Sequence, residues 1–190
     1  FYCSALAELG FIVLALDSRG TPLRSKSFQD ESYGWIPSAG NTDDHAGAIA
    51  QLTERYPYMD VDRVGVFTVT GYRSALQNFL ERQDIYKVCV QMSLLDNRLI
   101  GGTIEADKYE GVDGPSVDKQ YPEQLVENFQ GKLLLIASMY SASAAFYPAA
   151  ATLRVIDALQ RANKDFDQLI VNTGGRGMAM TSYQYRRAFD

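Results

Sequence analysis

An α/β fold, with a mostly parallel sheet and helices on both faces, follows from two features of this 190-residue chain. Short runs rich in apolar residues recur at Phe11–Leu16, Val64–Val69, Tyr86–Met92, Lys132–Ala137 and Phe166–Val171, the first almost wholly apolar. Segments with helical spacing alternate with them. A strand covered on both faces needs such a run, because neither face meets water. Strand alternating with helix then places consecutive strands in one parallel sheet.

Each element has a local reason. Tyr2–Leu9 has helical spacing and Gly10 stops it. Phe11–Leu16 is the first apolar strand, and Asp17–Pro22 is the loop that leaves it. Ser25–Gly40, with Trp35, reads as an irregular polar and aromatic excursion. Asn41, Thr42 or Asp43 caps a helix that runs to about Tyr56, with Ala46, Ile49, Ala50 and Leu52 on one side and Pro57 ending it. Arg73–Glu81 is the helix after the second strand. Asp96–Gln130 reads as a long loop with short helices. Ala149–Asn163 is amphipathic with Leu153, Ile156 and Leu159 inward, and a last helix starts near Thr181.

Composition narrows the function classes. The chain is 46% hydrophobic and 22% charged, as a soluble single domain over residues 1–190 would be. A net charge of −5 and the lack of any basic run argue against nucleic acid, whose phosphates need clustered Lys and Arg. No apolar stretch is long enough to span a bilayer, and no signal peptide is visible. Cys3 and Cys89 read as two buried thiols. One histidine and two distant cysteines give no metal-ligand cluster, and no cofactor is expected.

Active sites in such sheets lie outside the carboxyl ends of the strands. The run Asp62–Thr70 is a strand leading into a turn, the place where a serine hydrolase of this shape carries G-x-S-x-G. Here the turn reads Thr68-Val69-Thr70-Gly71-Tyr72. The only histidine, His45, precedes that turn, whereas the triad of such hydrolases runs Ser, Asp, His along the chain. His45 is therefore read as structural.

The segments Leu6–Pro22, Asp43–Leu52, Arg55–Phe67, Lys87–Arg98, Asp107–Gly111, Gly131–Ala137, Thr152–Leu159 and Asp165–Val171 carry a family resemblance. In order and spacing they resemble the C-terminal part of the catalytic domain of the prolyl oligopeptidase family, nearest the dipeptidyl peptidase IV group. The resemblance implies an α/β-hydrolase fold, with the leading strands of the sheet and the gating β-propeller absent from this chain. It also implies three departures. Thr70 stands at the nucleophile, Ser141 at the acid and Arg176 at the histidine. Tyr109 falls where the family has a tyrosine lining the pocket for the residue before the cut. The second pocket tyrosine maps near Glu105, and Asp96 and Asn97 replace an Asp-Trp-like pair.

Covalent catalysis needs a nucleophile, a base and a group that orients the base. Arg176 keeps its proton near neutrality and cannot serve as the base. Ser141 carries no charge to stabilise an imidazolium. Ser138, Ser141 and Ser143 read as a small polar-apolar loop with alanines nearby, and Lys132 and Lys164 flank strands as solvated cations. The expected function is thus a peptidase-like domain that has lost catalysis and serves binding or assembly. A peptide or protein ligand, a homo-oligomer or a complex with an active paralogue fits that role. The alternative is an active serine-type dipeptidyl or prolyl peptidase with a non-standard site. A third reading gives Arg176, in Gly174-Gly175-Arg176-Gly177, an anion to bind, although that stretch lacks the G-K-[ST] of a P-loop.

Overall fold

Two of the helices end in a residue of positive φ, one a glycine and one an asparagine. The computed structural model describes residues 2–33, 42–69, 75–94, 121–139, 149–172 and 181–189. Helix α1 (Tyr2–Glu8) ends where Gly10 takes a φ of 91°. The Gly10 N–H donates to Ala7 O and the Phe11 N–H to Leu6 O, the paired bonds of a Schellman cap. A short helix, α2 (Lys26–Asp30), follows, capped by the Ser25 side chain accepting from the Phe28 N–H. It lies inside the stretch expected to be irregular. Helix α3 (Thr42–Arg55) leads through a 3₁₀ turn at Val61–Arg63 into β1 (Val64–Thr68).

Helix α4 (Ala75–Glu81) and β2 (Tyr86–Met92) come next. Then α5 (Pro122–Leu125) and a 3₁₀ turn at Val126–Asn128 precede β3 (Lys132–Ser138). Helix α6 (Ala149–Arg161) ends in a second Schellman cap. There Asn163 has a φ of 52°, its N–H donates to Gln160 O, and the Lys164 N–H donates to Leu159 O. Strand β4 (Asp167–Val171) and α7 (Ser182–Phe189) complete the described residues.

The described strands form one parallel sheet in the order β1-β2-β3-β4. Its larger core lies on the face covered by α4, α5 and α6. There Leu76, Phe79, Cys89, Leu133, Leu135, Val155 and Leu159 are buried together, and Ile49 of α3 packs against them. The opposite face holds a smaller cluster, Val90, Met92 and Ile136, joined by Phe67, Leu134, Leu169 and the α7 residues Tyr185 and Ala188. Residues from both faces of β2 and β3 supply the two clusters, which is why their runs read as mostly apolar. Every residue from Ala75 to Leu80 is buried, so all of α4 but its last residue, Glu81, lies inside the structure. No helix among the described residues is long and apolar enough to cross a membrane.

The structure corrects four expectations. Phe11–Leu16 forms no ladder among the described residues, and Phe11, Ile12, Leu14 and Leu16 are 39% to 59% exposed. An apolar run records a need for burial and cannot name the neighbour that provides it. Cys89 is buried as expected, but Cys3 is exposed; the spacing of α1 does not show which side of it is covered. Burial pushes the Cys89 thiol well above its ordinary range. In α6, Leu153 is exposed and Thr152 buried, because the inward stripe runs through Ala151, Val155, Ile156 and Leu159. Lys164 is not simply solvated: its ammonium donates to the carbonyls of Glu127 at 2.7 Å and Phe129 at 3.3 Å, tying α6 to the end of the turn before β3.

Candidate functional site

Because the sheet is parallel, β1, β3 and β4 all end at one edge. Ser138, the last residue of β3, is buried and pairs with Val171, the last residue of β4. The Met139 N–H extends this pairing with a bond to Val171 O at 2.9 Å. Thr68, the last residue of β1, pairs with Gln91 of β2. Thr70, Ser141 and Arg176 follow these three ends by two, three and five positions. They lie outside the described residues, as do Tyr109, Glu105, Asp96, Asn97 and Ser143. The topology therefore brings the three strand ends together. Of the serines named from sequence, Ser138 alone is described, and it belongs to the strand.

The residue that organises this edge was not singled out from sequence. Gln91 is 1% exposed and lies in the middle of the buried sheet. Its Oε1 accepts from the Leu76 N–H at 3.1 Å. Its Nε2 donates to the carbonyls of Met92 at 3.1 Å and Ser93 at 3.0 Å. Leu76 is the second residue of α4, so its N–H has no partner within the helix. Gln91 thus acts as a cap supplied by the neighbouring strand, and it fixes the start of α4 directly after residues 70–74. It also holds the bend at Ser93, where φ is 48°. The available clue was a lone amide side chain inside the apolar run Tyr86–Met92, since a buried polar group needs partners.

The loop that follows Phe11–Leu16 is held by charge. The Arg19 backbone N–H donates to Asp44 Oδ2 at 2.9 Å, and its guanidinium engages the same carboxylate at 2.9 to 3.1 Å. The Thr42 hydroxyl at the start of α3 lies 2.9 Å from both Asn78 Oδ1 and Glu81 Oε2 of α4, which share its single hydrogen. The Arg82 guanidinium reaches Asp43 at 3.2 Å. The first turn of α3 is thus anchored to the loop on one side and to α4 on the other. His45 sits in that turn beside Asp44.

The Arg19 hydrogen bond holds the Asp44 carboxyl below the usual carboxylate range, with burial opposing it. A folded value below the unfolded one contributes stability that is present above about pH 4 and lost as pH falls through the folded value. In Arg19→Gln the Asp44 midpoint should rise toward an ordinary aspartate, and this share of the acid sensitivity should vanish. A carboxyl-carbon NMR titration of Asp44 in both proteins checks it; unchanged midpoints would rule it out.

Beside β1, on the α7 face, lies a cavity of about 450 Å³ lined by Ala5, Leu6, Leu9, Phe67, Tyr185, Arg186 and Phe189. Its walls are apolar, and it offers no nucleophile or base apart from the Tyr185 phenol.

Comparison with known proteins fits this geometry. The chain is similar to human dipeptidyl peptidase 8, at 32% identity over 92 residues, which is 47% of this chain and 10% of that protein. The mouse protein of the same name matches at 30% over 92 residues, again 47% and 10%. The chain thus spans about a tenth of the length of these curated relatives. Among solved structures, Porphyromonas gingivalis dipeptidyl peptidase 4 superposes with a TM-score of 0.75 at 19% identity, covering 91% of this chain and 25% of that one. Pyrococcus horikoshii acylaminoacyl peptidase gives 0.69 at 19%, covering 84% and 27%. These likenesses and the parallel sheet show an α/β-hydrolase fold. The description "prolyl oligopeptidase family" matches residues 1–189, and the chain belongs to that family.

Proposed function

We propose that this chain is a peptidase-like hydrolase domain that no longer catalyses and is kept for binding or assembly. The observation that carries the reading is the residue set at the three triad positions, Thr70, Ser141 and Arg176. A guanidinium cannot accept the nucleophile's proton, so the loss at Arg176 alone removes the base. The frame around these positions is maintained. β1 pairs in parallel with β2, and β3 with β4, and Gln91 holds the start of α4 and the chain after β2 through three hydrogen bonds. An ordered strand frame around substituted triad positions is what a binding role requires. Tyr109, and the position near Glu105 to which the second pocket tyrosine maps in sequence, are the residues this reading assigns to a remaining peptide cleft. A second copy or an active paralogue is the assembly partner this reading allows.

The test is labelling with a fluorophosphonate probe beside an active dipeptidyl peptidase. The folded chain should remain unlabelled, and turnover of proline- or alanine-containing dipeptide substrates should fall about 10⁶-fold below an intact triad. Labelling that maps to Thr70, Ser138, Ser141 or Ser143 would instead establish an active serine-type peptidase with a non-standard site.

A further inference from the structure

We infer that the N-terminus of α7 is a binding site for a small oxyanion, a chemistry shared by free phosphate and by the terminal carboxylate of a peptide. The inference stands on α7 and does not rest on the proposed loss of catalysis.

The start of α7 is built as a reciprocal cap. The Thr181 N–H donates to Gln184 Oε1 at 2.7 Å, and the Gln184 N–H donates to Thr181 Oγ1 at 3.3 Å. The first bond of the helix proper runs from the Tyr185 N–H to Thr181 O at 3.0 Å. The N–H groups of Ser182 and Tyr183 therefore come before any carbonyl the helix can offer them. They find no other acceptor among the described residues.

A second observation points to a ligand at the same place. Gln184 is 2% exposed, and its Nε2 is buried with no hydrogen-bond partner. The Thr181 bond fixes Oε1 as the acceptor, so turning the amide over would lose that bond and gain nothing. Oε1 and Nε2 share one carbon. The unmet N–H₂ group thus stands beside Thr181, at the end of the helix that carries the two free backbone amides. A buried donor without an acceptor is costly, and a ligand that brings an acceptor removes the cost.

Every unmet group here is an N–H, so the ligand must accept at several atoms at once. The helix dipole places partial positive charge at this end, and the first turn holds no acidic residue to offset it. The Arg186 guanidinium, over the Tyr183 ring at 5.6 Å, adds a full positive charge close by. Phosphate and carboxylate have the oxygens and the charge that such a helix end takes. Thr181, Ser182 and Tyr183 are exposed, so an ion reaches the helix end from solvent. Tyr185 and Ala188 pack against Val90, Met92 and Ile136, which holds the helix to the sheet beneath its ligand.

Proton–nitrogen NMR titration tests the site, with ionic strength held constant by sodium chloride. Inorganic phosphate or trialanine should move the Ser182 and Tyr183 amides and the Gln184 side-chain N–H₂ along one saturable curve. Trialanine amide separates the two sources. Saturation by trialanine but not by its amide assigns the peptide carboxylate, and saturation by phosphate alone assigns phosphate. Two variants remove a donor and keep the helix. Ser182→Pro takes away one N–H at the first helical position, where proline is tolerated. Gln184→Glu keeps an oxygen to cap Thr181 and replaces the N–H₂ by oxygen. Each should weaken binding at least about tenfold, while the β3 amides report that the variant is folded. Shifts that stay linear with both ligands would overturn the proposal. So would saturable binding that a folded variant retains at full strength, because the ion would then sit elsewhere.

Discussion

Gly131→Ala should destabilise the fold by about 3 to 4 kcal/mol, while Gly10→Ala should cost only about 1 to 2. Both glycines have a φ of 91°, so both substitutions pay the same backbone penalty. They differ in the space around them. At Gly10 an added Cβ meets nothing within 4 Å. At Gly131 it would lie 2.5 Å from Lys87 O and 3.3 Å from Lys87 C, with Phe79 Cζ at 3.5 Å. The Lys87 atoms belong to the backbone of β2, in the ladder beside the start of β3, and cannot turn aside as a flexible side chain would. Relief requires moving one strand against the other just before Val88 pairs with Lys132. Urea unfolding of the two variants measures the difference, read as a shift in midpoint at constant slope. Equal losses would mean that φ alone sets the cost and that β3 can shift freely.

The fold was legible in the sequence wherever a residue type has one physical use. Gly10 as a helix stop, Pro57 beyond α3 and the mostly apolar runs of β2 and β3 each record a local requirement, and each is met in the structure. Phe11–Leu16 marks the boundary of that method. Its composition states that both faces are to be buried, yet the burying partner is a matter of tertiary pairing. The α6 stripe shows the same boundary at smaller scale. Leu153 is apolar and in helical spacing, but it is Thr152 that faces inward. For the site, sequence order located the three strand ends, because triad positions follow strands at fixed offsets. It passed over Gln91, whose role arises from contact between α4 and β2 and has no spacing rule. The network at Thr42, Asn78, Glu81 and Arg82 is likewise a product of packing between segments about 40 residues apart.

Gln91→Leu should cost about 3 kcal/mol even though the replacement is apolar and of similar volume. The larger side of the sheet would accept the methyl groups, for Leu76 and Leu135 are buried there. The loss lies in what the amide leaves behind. The Leu76 N–H would be buried with no acceptor, and the carbonyls of Met92 and Ser93 would each lose a donor. Water cannot easily replace the amide, because Leu76 is fully buried and Gln91 nearly so. Urea unfolding gives the magnitude, and amide exchange at Leu76 gives the mechanism. The Leu76 amide should exchange faster in the variant, while amides of β3 slow or quicken only with global stability. If stability fell but Leu76 kept its native protection, the helix start would be held by other contacts and Gln91 would matter for packing alone. If neither changed, the α4 start would be set by the chain before it. Faster exchange confined to Leu76 and its neighbours would identify Gln91 as the residue through which β2 positions the turn where related hydrolases place their nucleophile.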